Sequence, residues 1–198
     1  MIKSVCVFCG SSAGSRESYK KAARNLGRLL AQQGITLIYG GSNLGLMTLL
    51  ADEAMKHGGH VIGVMPTSLI DKEVAHSGLT EFIKVDSMSE RKEVMMQMAD
   101  AFIAMPGGVG TLDEIFEVMS GNQLGLMQKP MGLLNTDQFW NTLLSFLDHT
   151  VTEQFVLSEH RANLIAEEDE AMLLKALEEY KPIEVDHQSW ISGLRSTM

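Results

Sequence analysis

Cysteine is scarce: Cys6 and Cys9 are the only two in 198 residues. They form a C-x-x-C, but the second pair that a zinc site needs is missing, and both fall in or at the end of a strand pattern rather than at a helix start. Reduced, partly buried thiols are therefore expected, and no metal. His57, His60 and His76 lack ligand spacing and suit surface or packing roles. No apolar run approaches the roughly 20 residues that span a bilayer. The first residues pass straight into a strand pattern without a small-residue cleavage site, so a cytoplasmic protein with no membrane partner is the expectation. Positive charge is also short, 16 Lys and Arg against 25 Asp and Glu, a formal charge of -9. Nucleic acid and anionic membranes normally require a basic surface, so any anionic ligand should be small and held by local groups. The fingerprints G-x-x-x-x-G-K-[ST] and G-x-G-x-x-G with a downstream acid are absent, which weakens NTPase and dinucleotide readings. No repeat, low-complexity segment or linker divides the chain.

What is present is a regular alternation of apolar strands and amphipathic helices. With 45% hydrophobic residues the chain can bury a core, and one domain is expected over residues 1–181, with a loosely attached tail over 182–198 carrying Trp190 and Ile191 as candidate anchors. Strands are read at Ser4 to Phe8, Ile35 to Tyr39, His60 to Met65 (stopped by Pro66), Glu81 to Val85, Ala101 to Met105, Met131 to Leu134 and Asn163 to Ala166. Continuous apolar runs suit strands covered on both faces, and the alternation predicts an α/β fold, a doubly wound parallel sheet of about seven strands flanked by helices. Between the third and fourth strands, Thr67 to Thr80 read as irregular or short-helical and carry Glu73 and His76. After the sixth strand, Thr136 or Asp137 is expected to cap a helix through Trp140.

Three glycine-bearing turns fall at the carboxyl end of this sheet, where open α/β folds bind ligands. They are Cys9-Gly10-Ser11-Ser12, Gly40-Gly41 running to Gly45-Leu46-Met47, and Pro106-Gly107-Gly108-Val109-Gly110-Thr111-Leu112-Asp113-Glu114. In the third, the glycines are expected to adopt positive φ and let a ligand approach, Thr111 to cap the following helix, and the first-turn N–H groups to form an anion site. Glu114 lies one turn further in, within reach of an uncharged part of whatever the turn holds. Arg91 and Lys92 stand at a helix start, where the dipole disfavours positive charge. A local rule broken in this way points to function, although pairing with Glu90 and Glu93 explains the spacing equally well.

The stretch Pro106 to Glu114 matches P-G-G-x-G-T-x-x-E. Together with Cys9-Gly10-Ser11-Ser12, Gly40-Gly41, Gly45-Leu46-Met47 and Glu90-Arg91-Lys92, it makes the chain resemble the LONELY GUY (LOG) family from residue 3 to about residue 180. That family comprises cytokinin riboside 5′-monophosphate phosphoribohydrolases, often labelled lysine decarboxylases by inheritance. The resemblance implies a Rossmann-like homodimer or assembly of dimers. It implies a cofactor-free hydrolase that splits the N-glycosidic bond of a purine nucleoside 5′-monophosphate, AMP or an N6-substituted AMP, into free base and ribose 5-phosphate. Carried over residue by residue, Arg91 and Glu114 are the catalytic pair. Gly107, Gly108, Gly110 and Thr111 bind the 5′-phosphate, with Lys92 a weaker candidate, and Ser12, Gly41 and Met47 line the pocket. Thr48, Ser89 and Gly121 depart from the family pattern and bear on the base-binding end. Two rivals stand beside this reading: a module that binds or senses a nucleotide without cleaving it, and a decarboxylase, which would require a pyridoxal phosphate Schiff-base lysine.

Overall fold

The computed structural model describes residues 1–70 and 75–183, so Glu73 and the tail anchors Trp190 and Ile191 lie outside the described residues. In chain order the elements are β1 (Ser4–Phe8), α1 (Glu17–Gln32), β2 (Thr36–Tyr39), α2 (Gly45–Lys56), β3 (Val61–Pro66), α3 (Thr67–Ile70), β4 (Glu81–Val85) and α4 (Met88–Met98). There follow β5 (Ala101–Ala104), α5 (Val109–Gln123), β6 (Met131–Leu134), a 3₁₀ turn (Thr136–Gln138), α6 (Asn141–Thr152), α7 (Ser158–Ala162), β7 (Leu164–Glu167) and α8 (Glu170–Glu178). The strands form one seven-stranded sheet in the order β4-β3-β2-β1-β5-β6-β7, parallel throughout. The sheet is buried on both faces. On β1, Val5 and Val7 enter a core shared with Leu26 and Leu30 of α1 and Leu50 of α2. Cys6 and Phe8, alternating with them, enter a second core with Met95 of α4, Ile115 of α5 and Leu147 of α6. This two-sided burial is why the strands read as unbroken apolar runs.

The order reverses between β1 and β5, so the loops that leave these neighbouring strands diverge and open a crevice at the carboxyl edge. Its floor is tied by backbone bonds from Met105 N to Phe8 O (2.9 Å) and Gly10 N to Pro106 O (3.1 Å). Two local expectations are corrected. Pro66 does not stop the third strand from outside but is its last paired residue, opposite Val85. Neither Thr136 nor Asp137 caps α6: Asp137 turns into the left-handed region (φ 52°), its carboxylate taken by Ser18 Oγ at 2.5 Å, and Asn135 Oδ1 accepts from Trp140 N at 2.7 Å instead. The short helix α7 had no periodic signal in the sequence.

The helix α4 is attached unusually. Met95 is its one fully buried residue, with Val94, Met96 and Met98 partly buried against the same core, and polar ties at both ends add to this packing. At its start Ser87 Oγ accepts from Glu90 N (3.1 Å), and Glu90 Oε2 accepts from Asp86 N (2.7 Å), a variant of the capping box. At its end Lys129 Nζ donates to Met96 O at 2.8 Å and Gln97 O at 3.3 Å, a cation on the carbonyls that form the negative pole of the helix. Lys129→Met is expected to cost about 1 kcal/mol, seen as a lower urea midpoint at unchanged slope; an unchanged midpoint would mean the tie contributes nothing.

Candidate active site

The crevice holds a cavity of about 260 Å³ bounded by the loop after β1, by Gly40 after β2, by Met47 of α2, Leu69 of α3, Met88 and Arg91 of α4, and by the first turns of α5. The α5 end presents free backbone donors. The helix starts after Gly108 with no side-chain cap, which leaves the amides of its first turn without intrahelical acceptors. A Cβ at Gly108 or Gly110 would meet nothing within 4 Å, so both open onto space a ligand can fill. The expected geometry needs correcting in two respects. Gly107, Gly108 and Gly110 are absent from the glycines with positive φ, whereas Gly41 (75°) and Gly45 (58°) are among them. Thr111 lies inside the first turn rather than at the cap, because the helix begins at Val109; its side chain is buried, with the hydroxyl packed where a Cβ on Gly107 would otherwise stand.

Across the cavity Glu114 and Arg91 face each other. Glu114 is 9% exposed, and burial pushes its carboxyl up to about 7, opposed by the Arg91 charge, with Asp113 raising it further and Lys92 lowering it. The carboxylate Oε1 lies 3.9 Å from Arg91 Nη1, an ion pair too long for a direct hydrogen bond, so both groups keep capacity for other partners. Arg91 is held from behind: its Nε donates to Val64 O at 3.0 Å, and its guanidinium lies against Gly40 so closely that a Cβ there would collide with Nη2. A buried acid that titrates near neutrality, beside a fixed cation and an anion cradle, can exchange a proton and stabilise charge on a phosphorylated substrate.

Six of the residues picked out in the sequence, Arg91, Glu114, Met47, Gly108, Gly110 and Thr111, line this one cavity. Ser12 and Gly107 line an adjoining cleft of about 230 Å³ beside Tyr19 and Phe139. Gly41 sits behind the wall, its carbonyl accepting from His76 N at 3.1 Å. Lys92 turns away from the cavity, onto Asp113 Oδ2 (3.0 Å) and Glu117 Oε2 (2.7 Å). Of the lining residues sequence reasoning missed, Gly40 and Asp113 stood inside the motifs, whereas Met88 and Leu69 had no signal. The thiols of Cys6 and Cys9 are buried rather than partly buried, and burial, reinforced by Glu114, pushes both well above the usual thiol range, which leaves them unreactive. No helix among the described residues is long and apolar enough to cross a membrane.

Known proteins share both the sequence and the fold. The sequence pattern of the family described as "Possible lysine decarboxylase" matches residues 47–177. A probable cytokinin riboside 5′-monophosphate phosphoribohydrolase of Oryza sativa subsp. japonica is 48% identical over 179 residues, 90% of this chain and 79% of that protein. A cytokinin riboside 5′-monophosphate phosphoribohydrolase of Arabidopsis thaliana is 44% identical over 181 residues, 91% of this chain and 79% of the other. Among solved structures, the molybdenum cofactor carrier protein of Chlamydomonas reinhardtii superposes with a TM-score of 0.69 at 21% identity, covering 90% of this chain and 98% of that one. The molybdenum cofactor binding protein of Rippkaea orientalis gives 0.65 at 22%, over 89% and 94%. At that identity these two speak for the fold alone.

Proposed function

The chain belongs to the family described as "Possible lysine decarboxylase", which it shares with the phosphoribohydrolases of Oryza sativa and Arabidopsis thaliana, and on that premise we propose that it hydrolyses the N-glycosidic bond of purine nucleoside 5′-monophosphates. The observation that carries the reading is the facing of Arg91 and Glu114 across a cavity whose end is the uncapped first turn of α5. The 5′-phosphate meets the amides of that turn, with Gly107, Gly108, Gly110 and Thr111 shaping it. The ribose then lies by Glu114, and Met47, Leu69 and Met88 offer an apolar wall to the base. As the C1′–N bond opens, positive charge grows on the sugar and negative charge on the base. Water gives its oxygen to C1′, and its proton passes through Glu114 to the leaving nitrogen, while Arg91 holds the charge that develops on phosphate or base. The products are free base and ribose 5-phosphate. The proposal extends to a single domain over residues 1–181 followed by a C-terminal tail over 182–198, to a cytoplasmic location, and to a homodimer or assembly of dimers, which light scattering tests.

The family's descriptive label fits the residues poorly. A Schiff-base lysine must reach the reacting centre as a free amine, and among the described residues no lysine lines the cavity. Lys92 is held by two carboxylates, and its hydrogen bond to Glu117, followed by that to Asp113, raises its pKa, the opposite of what a nucleophile needs. Incubation with a panel of nucleoside 5′-monophosphates, AMP and N6-substituted AMP included, with chromatography of the released bases, is expected to show hydrolysis of at least one. Binding without release from any member would replace the enzyme by a nucleotide-binding module.

A further inference from the structure

We propose that Lys92 is a positioning residue of this reaction: by gripping Asp113 and Glu117 it locks α4 against α5 and so fixes the span between Arg91 and Glu114. The inference rests on the phosphoribohydrolase reading of the site. Its basis is the way two adjacent residues of α4 diverge. Arg91 points into the cavity toward Glu114 at 3.9 Å. Lys92 points behind it, to Asp113 at 3.0 Å and Glu117 at 2.7 Å. The carboxylates it holds flank Glu114 along α5, one residue before and three after, so the lysine grips the turn of helix that carries the reacting acid. Its side chain is 17% exposed against 56% for Asp113 and 42% for Glu117, so each contact alone is a screened pair and the hold comes from one ammonium reaching two carboxylates on the same helix. The helix α4 is seated on the core by the buried Met95 and the partly buried Val94, Met96 and Met98, and the lysine ties it sideways to α5. Arg91, the residue whose placement matters, is the immediate neighbour of the lysine.

A second consequence is electrostatic. Around Glu114 stand Arg91 and Lys92 from α4, Asp113 on its own helix, and the buried thiols Cys6 and Cys9 beneath. Removing Lys92 takes away a cation that favours the ionised acid and leaves Asp113 unpaired beside it. Both changes disfavour the charged carboxyl.

The test compares Lys92→Met, Lys92→Arg and Glu117→Gln with wild type on a nucleotide that the panel shows to be cleaved. In Lys92→Met, kcat is expected to fall about 10- to 100-fold with KM changed less than about threefold, the size of loss that a small misplacement causes. The limb of its pH–rate profile set by Glu114 should move to higher pH. Lys92→Arg, able to reach the same two carboxylates, should restore most of the rate, and Glu117→Gln should give a smaller change of the same kind. Carbon-13 NMR titration of the Glu114 carboxyl in ligand-free protein, assigned with Glu114→Gln, should move upward in Lys92→Met. A raised KM at unchanged kcat would overturn the proposal and make Lys92 a phosphate-binding residue; an unmoved profile with an unmoved titration would reduce it to a surface ion pair. Should wild type cleave nothing, the activity reading fails on its own account, and the titration still decides for or against Lys92.

Discussion

Glu114→Gln should reduce base release by at least about a thousandfold, the scale on which a group acting only in the transition state is missed, and should at the same time make the protein more stable above neutrality. Both follow from the same burial. The amide keeps the shape of the carboxyl and can still meet a ribose hydroxyl, so nucleotide affinity should change little, but it cannot take a proton from water or offset positive charge at C1′. Stability moves the other way because folding raises the carboxyl from an ordinary value of 4.5 to about 7. Below about pH 4.5 the group is protonated in both states, and its burial has no ionisation cost. As pH rises from there to 7 the unfolded chain ionises first, and the folded state loses up to about 3 kcal/mol relative to it. The variant has no such loss. Its melting temperature should exceed that of wild type at pH 8 and converge toward it near pH 5. Equal melting temperatures at pH 8 would show that burial does not disfavour the ionised acid, and retained turnover would remove it from the mechanism.

The sequence carried the sheet because two-sided burial leaves a mark that reading along the chain can see: Val5 through Phe8 are apolar without interruption, and the runs of β1, β2 and β5 end at glycine-bearing turns. Glu114 and Arg91 were singled out on different grounds, the acid from a dense local motif and the arginine from the family resemblance, since its charge at a helix start was explained equally well by pairing with Glu90 and Glu93. The supports of Arg91 were hidden, since nothing in the spacing of Gly40 or Val64 shows that both meet the guanidinium once β2 and β3 lie side by side. The direction of Lys92 was hidden for a related reason. Neighbours on a helix point about 100° apart, so one faces the cavity and the other the flank of α5, and only the packed pair of helices tells which. Thr111 misled because a threonine after glycines resembles a cap, whereas the helix had already begun at Val109.

Arg91→Ala should lower turnover by about a thousandfold or more, and Gly40→Ala should reproduce a substantial part of that loss without removing the charge. In Arg91→Ala the buried carboxyl of Glu114 loses its strongest favourable partner; its pKa should climb above 7, and a smaller fraction of the enzyme should carry the ionised acid at neutral pH. Added guanidinium ion, which restores a cation but not its anchoring, should recover only a small share of the rate. Gly40→Ala isolates position from charge. The new methyl group would stand where the Arg91 guanidinium now lies, with Met47 Sδ at 3.2 Å on the other side, so the arginine must swing off its bond to Val64 O. A displacement of about 1 Å at a reacting group costs on the order of a hundredfold, and kcat should fall by about that much while the pH limb set by Glu114 moves less than in Arg91→Ala. If Gly40→Ala turned over like wild type while Arg91→Ala did not, the charge alone would matter, and Gly40 would be no more than a turn residue.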